Sequence, residues 1–365
     1  MSNAYKYFWG VLSVFLILAS SVSASKGTLK IRADSSNITE QNSNAIAGCS
    51  SSNDFDESTY NFGFHLGALF IILATSSFGA FLPVFSKKYP RFKLPQAVFF
   101  FTKNFGSGVI LATAFIHMLP SAFDSLTNPC LSSVWSNYNA WPGAIAMMSA
   151  LFIFFLEYFA VKLQSKKDMH PTDAMQNIII SSELKSETGN HHCRHGSFIF
   201  LTNEAQILGI IILEIGICFH SVIIGIALSV EDGSTFVSLL IALVFHQLFE
   251  GLGLGSRIAE LEYDKGSYKP WLMSLTYGIT TPLGIAIGLG VRRTYYKGSE
   301  TALITQGVLD SVSAGILLYV ALVELIANDF IYDEAFRKKS NLVQISAFIC
   351  LTMGAGAMAL IGKWA

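Results

Sequence analysis

From residue 63 onward the chain is dominated by eight apolar segments, at 63–85, 97–118, 141–163, 205–229, 236–258, 271–291, 303–327 and 342–362. Each is close to the roughly 20 residues an α-helix needs to cross the hydrocarbon core of a bilayer. No water reaches backbone groups there, so each segment must satisfy its own hydrogen bonds, and a helix does so. The expected fold is therefore an all-α membrane protein of eight transmembrane helices. Composition agrees: 52% of the 365 residues are hydrophobic, only 13% are charged, and the mean hydropathy is +0.49. Soluble domains carry roughly a quarter charged residues. A formal net charge of −1 excludes a polybasic nucleic-acid binder. Pro83 and Pro282 fall inside spans and predict kinks, which neighbouring helices can compensate.

Residues 1–24 read as a signal peptide: Lys6, an apolar run from Tyr7 to Ala19, then the small residues of Val22-Ser23-Ala24. An uncleaved anchor is the competing reading. Residues 25–61 form a Ser/Asn-rich extracellular segment containing Asn37-Ile38-Thr39, a glycosylation acceptor. An eight-helix domain then occupies 62–365, with a long loop at 164–204. Placing the mature N-terminus outside puts fifteen Lys and Arg in the inner loops and seven outside, the favoured sense for a multi-pass protein. Both termini are then external. Cys49 and Cys130 both fall outside and are candidates for a disulfide. Cys218 and Cys350 lie within spans as packing residues.

Ionisable residues at membrane depth are costly to insert, so their presence points to binding or passage of something polar. His220-Ser221 lies mid-way along the fourth span, and His246-Gln247 with Glu250 mid-way along the fifth. His246 and Glu250 are four apart and share a helix face. The loop 230–235 between the spans is short, which predicts that the two helices pack together with Gly225, Gly251, Gly253 and Gly255 allowing close approach. Two imidazoles and a carboxylate suit a divalent transition metal and leave coordination positions open. His220, His246 and Glu250 are the candidate ligands; Ser221 and Gln247 are neighbouring or pathway groups. His117 and Asp310, toward the outer ends of their spans, are candidates for an entrance, and Glu214 and Glu324 for an exit. Each of these four is equally explained as an inter-helix hydrogen bond or a snorkelling group. Glu157 is read as packing. In the long loop, His170 and the cluster His191, His192, Cys193 and His195 form either a weak metal site or a solvated linker.

The stretches His220-Ser221-Val222-Ile223-Ile224-Gly225 and His246-Gln247-Leu248-Phe249-Glu250-Gly251, with Thr281-Pro282-Leu283-Gly284 and Ser313-Ala314-Gly315, resemble the ZIP (Zrt-/Irt-like protein) family, especially its fungal plasma-membrane members. The resemblance covers residue 60 to the end. It implies Zn²⁺ import to the cytosol by alternating access, with spans 1, 4, 5 and 6 moving against a more static group. It implies a plasma-membrane location, an endomembrane being the alternative. His220, His246 and Glu250 match the family's transport site. Ile224 stands where two-metal members carry a bridging carboxylate, and Ser221 and Gln247 replace stronger oxygen ligands, so one ion is expected rather than two. Zn²⁺ would be cargo, with no resident cofactor. An iron or manganese importer and an intramembrane zinc hydrolase are the rival readings. The second is disfavoured because no HExxH is present. The same ligands hold Fe²⁺ and Mn²⁺, and whether the chain works alone or as a homodimer is left open.

Overall fold

A computed structural model describes residues 60–92, 94–167, 203–264, 266–292 and 298–363. The signal peptide, Asn37, Cys49, His170, His191, His192, Cys193 and His195 lie outside the described residues. Among the described residues there are eight long apolar helices: α1 (Phe62–Lys88), α2 (Gln96–Leu126), α3 (Trp141–Lys167), α4 (Asn203–Val230), α5 (Gly233–Glu260), α6 (Lys269–Val291), α7 (Glu300–Tyr332) and α8 (Asn341–Ile361). Local chemistry sets several of their ends. Asn61 caps α1 by accepting from the Phe64 amide, and Lys87 and Lys88 sit in its last turn, where they oppose the negative end of the helix dipole. Ser299 caps α7 by accepting from the Ala302 amide.

Two helices outrun their apolar segments. α2 continues through Pro120 to Leu126, where the sequence suggested an end near 118. Proline lacks the N–H that would close the next turn. Thr113–Met118 widens to a π-helical stretch just before it, with the Leu119 amide reaching the Ala114 carbonyl, so the break is absorbed without ending the helix. α7 likewise passes into a π-helical stretch at Val320–Tyr332.

The helices sort into two groups by their contacts. α1, α4, α5 and α6 form one, held by extensive α1–α5, α4–α6 and α1–α6 packing. α2, α3, α7 and α8 form the other, through α2–α8, α3–α7 and α2–α7. The seam between them is made chiefly by α2 against α5 and α4 against α7. The expectation that α4 and α5 pack face to face is corrected here: their mutual contact is slight, although their loop is short. The small residues explain why. Gly225 lies against the backbone of Thr281 and Gly284 on α6, Gly255 against Ala80 on α1, and Gly253 against Gly106 on α2. In lipid, helices associate by close backbone packing rather than by hydrophobic exclusion, so glycine-bearing faces choose the partner.

Candidate metal site

Four helices bring polar side chains together at the middle of the seam. His220 of α4, His246 and Glu250 of α5, and Asp310 of α7 are 1%, 1%, 0% and 1% exposed. His117 of α2 completes the group: its ring centre lies 5.1 Å from those of His220 and His246, which are 5.9 Å from each other. Two nitrogens on one tetrahedral zinc lie roughly 3.3 Å apart, given Zn–N bonds near 2.0–2.1 Å, and ring centres stand further out. The three imidazoles are near enough to one another to reach a shared ion only after their rings reorient.

Both carboxyl groups pair with imidazole. His220 Nδ1 is 3.2 Å from Asp310 Oδ1, and Asp310 Oδ2 also accepts from the Ser121 hydroxyl at 2.8 Å. Gln306 donates in turn to Ser121. A carboxylate taking the Nδ1–H fixes the tautomer and leaves the Nε2 lone pair for another partner. His246 Nε2 is 3.3 Å from Glu250 Oε2. Buried atoms here without a hydrogen-bond partner are His220 Nε2, Ser221 Oγ, His246 Nδ1 and Glu250 Oε1, while Glu250 Oε2 has the His246 ring at 3.3 Å. Buried polar atoms are normally satisfied, so a concentration of orphans in one place marks a site made for something else. Among the described residues no three His, Cys, Asp or Glu side chains are already drawn into the geometry of a bound ion, so ligation requires side-chain rotation toward a common centre.

The sequence-derived residues divide accordingly. His220, His246 and Glu250 are together, as expected from their depth. His117 is not at an entrance: because α2 runs on past Pro120, it lies well inside the helix and against the two other histidines. Asp310 likewise touches the centre itself. Gln247 is turned aside, its amide donating to the Thr281 hydroxyl and its oxygens accepting from the Tyr277 hydroxyl, which ties α5 to α6. Ser221 is buried beside His220 with its hydroxyl unpartnered. Glu214 is buried on α4, six residues before His220. Glu324 occupies the space over Gly209, and Glu157, read as packing, accepts from the Tyr319 hydroxyl between α3 and α7. Ser121 and Tyr277 were missed, because a hydroxyl within an apolar helix carries no signal until its partner is known.

Cys130 is disulfide-bonded, with its partner outside the described residues, while Cys218 and Cys350 are free.

Comparison with known proteins shows the family. The family described as ZIP Zinc transporter matches residues 62–362. Among similar proteins, Zinc-regulated transporter 1 of Saccharomyces cerevisiae is 40% identical over 334 residues, covering 84% of this chain and 88% of the relative. Zinc-regulated transporter 1 of Schizosaccharomyces pombe is 34% identical, covering 89% of this chain and 91% of the relative. Zinc transporter 3 of Arabidopsis thaliana is 37% identical, with coverage of 87% and 89%. Eight membrane-length helices, a buried histidine and carboxylate centre on α2, α4, α5 and α7, and a match spanning nearly all of the described chain together make this protein a member of the ZIP zinc transporter family.

Proposed function

We propose that this chain imports Zn²⁺ across the plasma membrane into the cytosol, binding one dehydrated ion between His220, His246 and Glu250, with His117 as a further nitrogen donor. The observation that carries the reading is the set of buried, unpartnered donor atoms on His220, His246 and Glu250. An anion held in such surroundings is strongly unfavourable unless a cation or hydrogen-bond donors compensate it. Borderline-soft imidazole with a single carboxylate favours Zn²⁺ over the harder cations. A single ion is favoured because Ile224, one turn beyond His220, packs against an apolar cluster of Ile72, Leu228 and Leu243, and Gln247 is engaged with α6. Neither supplies a second set of oxygen donors.

Transport follows from the position of the centre. His220, His246 and Glu250 belong to one helix group; His117 and Asp310 belong to the other. Sliding of the first group along the seam carries the ion with it and exposes the site on alternate sides.

The test is radiozinc uptake by cells expressing the chain, normalised to protein at the surface, with Fe²⁺ and Mn²⁺ as competitors. His246→Ala and Glu250→Ala are expected to abolish uptake while reaching the membrane. Wild-type uptake by both variants would refute the site. Stronger competition by Fe²⁺ or Mn²⁺ than by unlabelled Zn²⁺ would refute the choice of ion.

A further inference from the structure

The geometry points to an inner gate for this pathway: a four-residue ionic latch, Lys103, Arg257, Glu260 and Asp329, that fastens the two helix groups to each other. The inference rests on the import reading above. Arg257 lies seven residues beyond Glu250 on α5, two helical turns further toward the basic loops and on the same face. It is buried within the bundle. Its guanidinium reaches Asp329 of α7 at 2.6 Å and donates to the Ser107 hydroxyl of α2. Lys103 of α2 reaches the same Asp329 at 3.1 Å and Glu260 of α5 at 2.6 Å. Glu260 closes the ring at 3.7 Å from Arg257. Two cations and two anions therefore alternate around a ring that takes members from α2 and α7 on one side of the seam and from α5 on the other.

Its place along the helices gives it a role. On α5 the order is His246, Glu250, Arg257, Glu260. On α2 it is His117, Ser107, Lys103. The ring forms one wall of a cavity of about 590 Å³, whose lining takes in Lys103, Glu260 and Asp329 of the ring with Asn104, Asp333 and Lys339. This is the end of the bundle bearing the cation-rich loops, and so the cytosolic end. Any ion leaving the centre for that cavity along the seam meets the ring. Closed, the ring places a guanidinium and an ammonium in the path and neutralises the carboxylates that a dication would use. Open, it frees Asp329 and Glu260 to take the ion from the centre and pass it to the cavity. The same bonds oppose sliding of α5 against α2 and α7, so release of the latch and movement of the group are one event.

The experiment uses the full chain in inside-out membrane vesicles, with Cys193, Cys218 and Cys350 replaced by Ser and a reporter Thr113→Cys. Thr113 is fully buried, on the centre's side of the ring. Labelling by a membrane-impermeant maleimide, in chelator and without zinc, reports opening toward the cytosol. Arg257→Gln and Asp329→Asn are each expected to raise the labelling rate roughly tenfold, a change of about 1.4 kcal/mol in the balance of closed and open states. The double variant should label no faster than either single, because the bond is already lost. The exchange Arg257→Asp with Asp329→Arg should return labelling toward the parent rate. Parent-rate labelling in whichever single variants reach the membrane, or additive increases in the double, would overturn the gate. Since no transport is measured, this result is independent of the uptake phenotype of His246→Ala: a gate can fail while the site stands, and the reverse.

Discussion

The contact between Gly106 of α2 and Gly253 of α5 is the place where a single methyl group should discriminate between packing and motion. A Cβ built on Gly253 would lie 2.8 Å from the Gly106 Cα and 3.2 Å from its carbonyl carbon and oxygen. Comfortable carbon contacts are about 3.5–4.0 Å, so the helices must part by roughly 0.7 Å or more. The obstacle is backbone, which has no rotamer to change. Overpacking of this kind costs about 1–3 kcal/mol. The pair also lies on the seam, where on the proposed mechanism α5 passes α2 as a bound ion moves. Two glycines present a face without protruding side chains, and a methyl there obstructs sliding as well as fit. Gly255 supplies the comparison. Its added Cβ would come within 2.4 Å of the Ala80 carbonyl, a more severe clash, but within one helix group. Gly67 supplies a second, with nothing within 4 Å. Surface-normalised radiozinc uptake, together with thermal unfolding in detergent, is therefore expected to separate the three. Gly255→Ala should lose more stability, Gly253→Ala should lose more turnover, and Gly67→Ala should keep uptake and gain up to about 1 kcal/mol from lower chain entropy. If turnover instead tracks clash severity, with Gly255→Ala the slower transporter, the division into two sliding groups is wrong.

Asp310→Ala removes the acceptor of His220 Nδ1–H and should raise the KM for zinc uptake by roughly 10–100-fold, the usual effect of losing such a partner, with Asp310→Asn falling between because it keeps an acceptor oxygen; saturation curves decide this. Tyr277→Phe removes the hydroxyl that bonds Gln247 across α5 and α6, and should lower stability by about 1 kcal/mol with uptake retained, as read by thermal unfolding and uptake on the same preparation. Cys130→Ser should lower stability by about 2–4 kcal/mol, and a reductant should lower the unfolding temperature of the parent protein but not of the variant.

Most of the fold was legible because lipid allows so few alternatives. All eight spans follow from hydropathy and length, and errors fell where a helix outran its apolar run. His220, His246 and Glu250 were legible for the related reason that an imidazole or carboxylate at that depth needs a purpose. His117 and Asp310 were placed too far out, since Pro120 looked like an end and the π-helical stretch before it could not be foreseen. Helix pairing was the least legible. These helices are apolar on nearly every face, so hydrophobic periodicity does not say which side meets protein and which meets lipid. Loop length then suggested α4 with α5, whereas the small residues select α6 and α1. Arg257, at the end of the fifth apolar segment 236–258, is one of the fifteen Lys and Arg that the sequence assigns to the inner side. Its seven-residue spacing from Glu250 was the available sign that it faces inward.

The two kinds of contact in this molecule divide the work in a way that bears on mechanism. Backbone-to-backbone contacts at Gly255 with Ala80, Gly225 with Thr281, Gly354 with Phe105 and Gly315 with Ala146 all lie inside one helix group or the other. Such contacts depend on interlocking shape, tolerate little displacement, and make each group rigid. Across the seam, beside the Gly106–Gly253 contact, the charged contacts are His220 with Asp310 at the centre, and Arg257 with Asp329 and Lys103 with Glu260 nearer the cation-rich loops. Ion pairs and hydrogen bonds can be exchanged for water, for a dication or for one another with little change of shape. A seam made of such bonds, with a smooth Gly106–Gly253 face along it, can open and re-form on each cycle. On the proposed reading, the candidate ligands and the latch below them are parts of one exchange of partners, in which the arriving charge replaces the bonds between the groups.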